Sequence, residues 1–217
     1  MSIQIPPNKI YDPAKTWFIS DPHFDHSNVL RFEEGFHEFK SIEEHDNEII
    51  ARWNSVVQED DTVFFLGDAS MHRIKLSYLK WIFSQLNGNI IWLKGNHDTH
   101  ITDMWFKELS EAAKIIEFKE YDEIFFPDPD QQIGYRRIVL FHYPILEFNG
   151  KHHGAYHLYG HSHTIVHPIK NAYSVCTCLT DYTPVNFEWI KQTIQKHNEG
   201  LNRLGELGIR PTNKRAR

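Results

Sequence analysis

Five short apolar segments of this chain each stop at side chains that can bind a metal ion, and this pattern limits the folds open to it. The segments are residues 17–19, 63–66, 90–93, 138–141 and 158–159. The residues that follow them are Asp21 and His23, Asp68, Asn96, His142, and His161 and His163. Short apolar runs indicate buried strands, and ligands of α/β sheets bind beyond the carboxyl ends of the strands. The pattern therefore predicts strands that bring Asp, Asn and His side chains to one rim.

Helical patterns separate the first strands, and strands dominate the second half. A helix is predicted to begin after Ser41, which precedes Glu44 by three residues as in a capping box. Further helices are predicted over residues 74–86, 103–113 and 189–200. This order predicts an α/β fold in which two mixed β-sheets pack as a sandwich flanked by helices. The 217 residues suit one core, so we expect a single domain over residues 1–209 and a loose basic tail over 210–217.

Composition narrows the expected location and partners. The formal charge of −6 does not support a general nucleic-acid coat, so no stable nucleic-acid partner is expected. No apolar run approaches the roughly 18 residues of a membrane span, and the amino terminus lacks a secretory pattern. Cys176 and Cys178 fit a disulfide framework poorly and are predicted to be reduced thiols in a strand. We therefore expect a cytoplasmic protein without membrane contact.

The residue types at the predicted rim favour a particular class of metal site. Nitrogen and oxygen ligands without thiolate suit Mn, Fe, Zn or Ni rather than a cysteine-rich structural zinc site. Gly67, Gly95 and Gly160 lie beside the candidate ligands. Glycine at these places would let the backbone turn sharply and approach a ligand closely.

Spacing gives a geometric expectation for two residue pairs. In an extended segment, His161 and His163 would point the same way at about 6–7 Å, which allows them to serve one metal each. Asp21 and His23 would converge on a single metal if the chain turned between them, and Pro22 makes such a turn plausible.

Taken together, five blocks of this sequence resemble the signature blocks of calcineurin-like metallophosphoesterases. The blocks are Asp21-x-His23, Gly67-Asp68, Gly95-Asn96-His97-Asp98, His142 and Gly160-His161-x-His163, in the order of that family. The flanking sequence is also similar, less specifically, to a small bacterial and phage-type subgroup. That match rests on Phe24-x-His26-x-Asn28, Glu43-Glu44-His45-Asp46, Trp53-Asn54 and Asp181-Tyr182-x-Pro184-Val185.

The resemblance implies a pair of divalent metal ions, with Mn²⁺ the first candidate. It implies that Asp21, His23, Asp68 and His163 hold one ion and that Asp68, Asn96, His142 and His161 hold the other. A hydroxide that bridges the ions would attack phosphorus in line. His97 would act as general acid toward the leaving-group oxygen, and Asp98 resembles the carboxylate that hydrogen-bonds to this histidine and orients it.

We therefore expect a metal-dependent phosphoesterase, with a phosphodiester favoured by the family resemblance and nucleotide-like esters among the substrates. A phosphomonoesterase, nucleotidase or pyrophosphohydrolase is the alternative. A non-catalytic metal-binding scaffold is a remote alternative, because all seven predicted ligands and His97 are present. The Val-Asp-Arg-Gly continuation typical of protein serine/threonine phosphatases is absent, since Ala69-Ser70-Met71 follows the second block. The oligomeric state is left open.

Other charged residues have plainer interpretations. Arg136 and Arg137 are predicted to lie on a solvated face. His152, His153 and His157 are predicted either to line the cleft or to form a polar loop.

Overall fold

Apolar strands in the first half of the chain build the first sheet. A computed structural model describes residues 5–32, 39–71 and 74–206. The sheet contains β1 (Thr16–Ile19), β2 (Thr62–Phe65), β3 (Asn89–Leu93), β4 (Ile115–Lys119) and β9 (Val185–Asn186). Their spatial order is β4-β3-β2-β1-β9. Strands β1 to β4 are parallel and β9 is antiparallel to β1, so the sheet is mixed.

The second sheet is formed by the later part of the chain. It contains β5 (Tyr121–Pro127), β6 (Tyr135–Phe141), β7 (Tyr156–Tyr159) and β8 (Ala172–Ser174), in that order. Strands β5 and β6 are antiparallel, whereas β6, β7 and β8 are parallel. This sheet is therefore mixed as well.

Alternation along the central strands buries both faces of the first sheet. Phe18 and Phe64 belong to an apolar cluster that also contains residues of the second sheet, among them Phe126. The Phe18 and Phe126 rings are 6.1 Å apart, so the two sheets pack face to face. Ile19 and Phe65, the next residues on their strands, belong to a separate cluster on the opposite face. Successive strand residues point to opposite faces, which accounts for the continuous apolar runs.

Helices cover the outside of the sandwich. They are α1 (Val29–Phe32), α2 (Ile42–Val56), α3 (Leu76–Phe83), α4 (Asp103–Ala112) and α5 (Phe187–Glu206). Helices α2, α3 and α4 pack on the outer face of the first sheet through Ile49, Leu79 and Leu109. Helix α5 contacts β8 and β9. The predicted fold class, two mixed sheets in a sandwich flanked by helices, is confirmed.

Side-chain caps fix where two of these helices begin. Ser41 Oγ accepts a hydrogen bond from the Glu44 N–H at 3.1 Å, and Glu44 accepts one from the Lys40 N–H at 2.7 Å. Thr102 caps α4 in the same way through the Trp105 N–H. Such caps satisfy N–H groups that have no partner within the helix. The helix start predicted at Ser41 is therefore confirmed, although Glu44 returns its hydrogen bond to the Lys40 N–H rather than to the Ser41 N–H of a regular capping box.

The last strands differ from their prediction. Strand β8 ends at Ser174, and residues 177–179 form a short 3₁₀ helix, so the placement of both cysteines in a strand is wrong. Cys176 instead pairs with Ser20 in an isolated bridge, and both thiols are free. The tail predicted over residues 210–217 lies outside the described residues, and the boundary at residue 209 stays a prediction. Among the described residues, no helix combines the length and apolar character needed to cross a membrane.

Candidate metal centre

The carboxyl ends of strands from both sheets meet at one rim, where hydrogen bonds join the segments that follow them. The Gly160 N–H donates to the His142 carbonyl at 2.9 Å, and the Asp21 N–H donates to the Gly67 carbonyl at 3.0 Å. The His161 N–H donates to the Asp21 carboxylate at 3.0 Å, which links the two sheets. The remaining block is joined by the His97 backbone N–H, which donates to Asp68 Oδ1 at 2.8 Å, so the structure brings the five predicted blocks together.

A first group of candidate ligands contains Asp21, His23 and His163. One ligand atom from each lies within 4.8 Å of the other two. The Nε2 atoms of His23 and His163 are 3.1 Å apart, and His163 Nε2 is 3.8 Å from Asp21 Oδ1. Two imidazole nitrogens that bind one ion through bonds of about 2.0–2.1 Å lie about 3 Å apart when the bonds are at right angles. The observed nitrogen separation is close to this value.

A second group contains Asp68, His142 and His161, again with ligand atoms within 4.8 Å of one another. The His142 Nδ1–H donates to the Leu66 carbonyl at 2.7 Å, which leaves its Nε2 facing Asp68 Oδ2 at 3.4 Å. Asn96 Oδ1 lies 3.0 Å from His142 Nε2 and 2.7 Å from His161 Nδ1. Asn96 therefore lies with this group. Its amide oxygen had been predicted as a ligand from sequence resemblance alone.

Left-handed backbone conformations are concentrated at these ligands. The φ angles are 57° at Asp21, 49° at His23, 56° at Asp68, 65° at His161 and 45° at His163. Each such conformation costs a residue with a side chain on the order of 1 kcal/mol, and strain of this kind is typical of functional sites. The extended geometry predicted for residues 161–163 is therefore wrong, although these two histidines do lie in different groups. The turn predicted at Pro22 is confirmed, since its two neighbours share the first group.

Two glycines leave room for the carboxylates. A Cβ atom added to Gly95 would lie 2.2 Å from Asp68 Oδ1, and one added to Gly160 would lie 2.2 Å from Asp21 Oδ2. No side chain fits at either position, because real Cβ contacts are not shorter than about 3 Å. The close approach predicted for these glycines is confirmed.

Burial and neighbouring charges set the protonation of the centre. Burial raises the pKa of Asp21. Burial would also raise the pKa of Asp68, but the hydrogen bond and charge of His142 outweigh it, so that this pKa is lowered. Burial would lower the pKa of His142, yet the two carboxylates raise it to about 9. Burial, with a smaller contribution from His163, lowers the pKa of His23 to about 3.

This donor set fits divalent metal ions. Lone pairs of imidazole nitrogens and of carboxylate and amide oxygens converge within each group, and such convergence needs a proton or a cation between the atoms. Asp21 and Asp68 are completely or almost completely buried, and buried carboxylates require positive charge nearby. Two groups of His and Asp residues could therefore bind metal ions, and the absence of thiolate suits Mn, Fe, Zn or Ni.

His97 lies at the exposed edge of the centre. Its side chain is 35% exposed, and its Nε2 is 4.0 Å from Asp68 Oδ2. The backbone N–H of His97 donates to Asp68 Oδ1 at 2.8 Å, which fixes the backbone beside the second group. Its ring packs against the His23 ring with centroids 5.6 Å apart. His97 thus touches both groups while remaining accessible from solvent.

Asp98 has a different place from the one the resemblance implies. Its Oδ2 accepts hydrogen bonds from the N–H groups of Asp68 and Gly95 and from the Trp92 indole, and its Oδ1 accepts one from the Ala69 N–H. Among the described residues, none of its hydrogen bonds comes from the imidazole of His97. The expectation that Asp98 orients His97 directly is corrected, because these four donors occupy the buried carboxylate. Burial raises the pKa of Asp98 to about 6 despite the hydrogen bonds.

Further residues hold the ligand segments from behind. Thr177 Oγ1 donates to the Asp21 carbonyl at 2.9 Å, and no motif in the sequence marks this residue. Asp46 Oδ2 accepts hydrogen bonds from the Asp25 N–H at 3.0 Å and the Tyr78 hydroxyl at 2.9 Å. The block from Glu43 to Asp46, noted for its flanking resemblance, therefore supports the loop after the first ligand pair.

Several charged residues lie at the other end of the second sheet. His152 and His153 line a cavity of about 480 Å³ beside the amino ends of β6 and β7, so they do not line the candidate centre. His157 is buried within β7. Arg136 is buried too, with its Nε donating to Asp128 at 2.5 Å, so its placement on a solvated face is wrong. The two ends of the sheet thus carry different polar clusters.

Comparisons with known proteins agree with the fold. No family model matches the chain. An uncharacterised protein from Methanocaldococcus jannaschii is 28% identical over 186 residues, which cover 84% of this chain and 92% of that protein. A protein of unknown function from Aquifex aeolicus superposes with a TM-score of 0.55 at 21% identity, covering 82% of this chain and 98% of that one. That likeness shows the fold alone.

A structure described as that of a novel archaeal phosphodiesterase is also similar. It has a TM-score of 0.40 at 18% identity and covers 74% of this chain and 81% of that one. A similarity at this level carries no argument about the chemistry of this chain.

Proposed function

We propose that this chain is a metal-dependent phosphoesterase that hydrolyses phosphodiesters. The observation that carries the proposal is the pair of adjacent His and Asp groups with the accessible imidazole of His97 at their edge, 4.0 Å from Asp68. Metal pairs in hydrolases lie about 3.5–4 Å apart and act on phosphate esters. The preference for a diester rests on the resemblance of the Gly-Asn-His-Asp block.

The chain's own residues have distinct parts in this proposal. Asp21, His23 and His163 would hold one divalent ion, and Asp68, Asn96, His142 and His161 would hold the other, with Asp68 shared between them. When bound, the ions would neutralise the phosphate and lower the pKa of a water nucleophile toward about 7. Their charge exceeds that of the two carboxylates, so the centre attracts an anion although the formal charge of the whole chain is −6.

His97 would protonate the leaving-group oxygen. Its partial exposure lets a substrate reach the ring, and the hydrogen bond from its N–H to Asp68 fixes its distance from the centre. An imidazole suits this task because its ordinary pKa lies near neutral pH. A general acid matters most for a leaving group that is a poor acid, and this dependence gives the proposal a specific test.

The test compares His97→Ala with the unaltered chain on two methyl aryl phosphodiesters in the presence of Mn²⁺. With the phenyl ester, whose leaving group needs a proton, we expect kcat/KM to fall about 10²–10⁴-fold. With the p-nitrophenyl ester, whose leaving group is far more acidic, the loss should be much smaller. Metal content should be unchanged in the variant, since His97 is not among the proposed ligands.

His152→Ala is the matched control, because this histidine is 85% exposed at the other end of the sheet. This variant should change kcat/KM for neither ester. Equal losses on both esters would remove His97 from the proton-transfer step. If the unaltered chain bound two ions and hydrolysed neither a diester nor p-nitrophenyl phosphate, the scaffold alternative would replace the enzyme proposal.

A further inference from the structure

A row of three exposed or half-buried aromatic rings leads away from the candidate centre. Tyr143, Phe141 and Tyr121 form this aromatic row, and Tyr143 contacts the His161 ring with centroids 4.7 Å apart. The next centroid distances are 5.5 Å from Tyr143 to Phe141 and 6.4 Å from Phe141 to Tyr121. The row is therefore continuous with the second group of ligands.

The second sheet fixes the position of the row. Tyr121 begins β5 and lies directly opposite Phe141, the last residue of β6. Side chains at directly paired positions of antiparallel strands point to the same face, which places these two rings side by side. The Tyr121 hydroxyl donates to Glu123 at 2.6 Å and holds the first ring in place.

The row also has solvent access that a core cluster would not have. Tyr121 is 43% exposed and Tyr143 is 38% exposed. A single exposed aromatic residue needs no explanation, but contiguous exposed rings at the edge of a polar site mark a ligand surface. Behind Tyr143, the His157 Nε2 accepts a hydrogen bond from the Ile145 N–H at 3.1 Å and steadies this loop.

The two ends of the centre differ in what they offer a substrate. His97 packs against His23 of the first group, whereas Tyr143 packs against His142 and His161 of the second. In a phosphodiester held at the centre, the leaving group would lie toward His97. The ester group that stays on phosphorus would then lie toward Tyr143.

We propose that the aromatic row binds the nucleobases of a nucleotidyl phosphodiester, with the base of the retained nucleotide on Tyr143 and the next base toward Phe141 and Tyr121. This inference rests on the proposed function and names its substrate class. Bases stack on aromatic side chains because every base presents a flat π face, and the interaction does not depend on sequence. The three side chains of the row are uncharged, so the row would recognise the planar base. The phosphate would be recognised by the candidate centre.

A pair of esters with one leaving group tests the inference. Thymidine 5′-(p-nitrophenyl phosphate) and methyl p-nitrophenyl phosphate both release p-nitrophenol, and only the first carries a base. In the unaltered chain we expect kcat/KM to be at least about tenfold higher for the thymidine ester, mainly through KM. In Tyr143→Leu this ratio should approach one, whereas Tyr143→Phe should keep it, because the second variant retains the ring.

Tyr135→Leu is the matched control, since Tyr135 lies on the same strand at the opposite end from Phe141. It should preserve the ratio. Calorimetric titration of the Mn²⁺-loaded protein gives a readout apart from turnover. Thymidine 5′-monophosphate should bind at least about tenfold more tightly than methyl phosphate, and Tyr143→Leu should remove that advantage.

Length dependence separates a dinucleotide from a longer single strand as the source of the bases. If bases beyond the second contribute, a thymidine oligonucleotide will have a lower KM than the dinucleotide, and Phe141→Leu will reduce the difference. Hydrolysis of both p-nitrophenyl esters at equal kcat/KM would overturn the aromatic-row inference and leave the phosphoesterase proposal standing. Hydrolysis of neither ester, with two ions bound, would overturn the proposed function itself.

Discussion

Side chains in the centre either serve as candidate metal ligands or hold the segments that carry those ligands. Asp98 belongs to the second kind. It is completely buried, and it joins the segment that carries Asp68 to the segment that begins at Gly95. A carboxylate can accept all four of its hydrogen bonds, because it is acceptor-only when ionised. An amide in its place would turn an NH₂ group toward N–H donors. Asp98 therefore shapes the second group without pointing into it.

Asp98→Asn tests this role. We expect the free energy of unfolding to fall by about 2–3 kcal/mol, because at least two buried donors lose their acceptor. The Mn²⁺ affinity should fall as well, since Asp68 shifts with its backbone. Urea unfolding and equilibrium dialysis provide the two measurements.

The result differs from that expected for a residue that only orients His97. Such a residue would lower kcat and leave stability and metal affinity alone. A variant with normal stability and normal metal binding would therefore contradict the proposal that Asp98 holds these two segments together. Asp103→Asn, at an exposed position in the first turn of α4, is the control and should change stability little.

For single residues, the sequence predicts well which side chains gather at the rim. It predicts poorly their backbone conformations and hydrogen bonds. All seven proposed ligands lie together at the rim, although their role as ligands stays a prediction. The left-handed conformations of five of them carry only a weak sequence signal, since Asp and His adopt such conformations more often than most residues but far less often than glycine. The bonds of Thr177 and Asp98 depend on segments far apart in the chain, which no local pattern encodes.

Strand β7 shows how a secondary-structure element supports the site. It ends just before His161, and within it His157 is buried between the strands. The His157 Nδ1–H donates to the Val139 carbonyl at 3.1 Å, while Nε2 accepts from the loop that carries the aromatic row. Nε2 also lies 3.2 Å from the Tyr143 carbonyl, so burial, rather than the hydrogen bonds, favours the neutral ring. Burial lowers the pKa of His157 from 6.5 to about 4.

His157 should therefore make stability depend on pH. Between pH 6.5 and about 4 the unfolded chain binds a proton at this residue and the folded chain does not. Stability consequently falls as the pH falls through this window, by about 3 kcal/mol in all. In metal-free His157→Gln we expect a shallower decline over the window than in the unaltered protein, as measured by urea unfolding at a series of pH values.

The control for this experiment is His152→Gln, which changes an exposed histidine just before the same strand. Its pH profile should match that of the unaltered protein. A His157→Gln profile with the full original slope would show that the buried ring remains protonated in the folded state.

Elements were predicted most accurately where the apolar pattern is strong. Strand β7 contains the predicted apolar segment of residues 158–159, and α4 ends one residue before its predicted end. The prediction failed near Cys176, where the chain leaves β8 to pair with Ser20 of the other sheet. That contact depends on how the sheets pack, so tertiary structure overrides the local preference for a strand.

At the scale of the whole molecule, the candidate metal centre lies within an acidic protein. Two sheets with different strand orders direct carboxyl ends of their strands to one rim, where the buried carboxylates of Asp21 and Asp68 could bind metal ions. The order of strands and helices in the sequence was sufficient to predict this sandwich. The path of the aromatic row could not be predicted, because it depends on the register between β5 and β6.

The central claim is that these two groups hold a pair of divalent ions. Equilibrium dialysis of the metal-free protein against Mn²⁺, followed by elemental analysis, measures the number of ions per chain. We expect two ions in the unaltered protein, one in His163→Ala and two in His152→Ala. Binding of no ion by the unaltered chain, or retention of both ions in His163→Ala with unchanged affinity, would contradict the account.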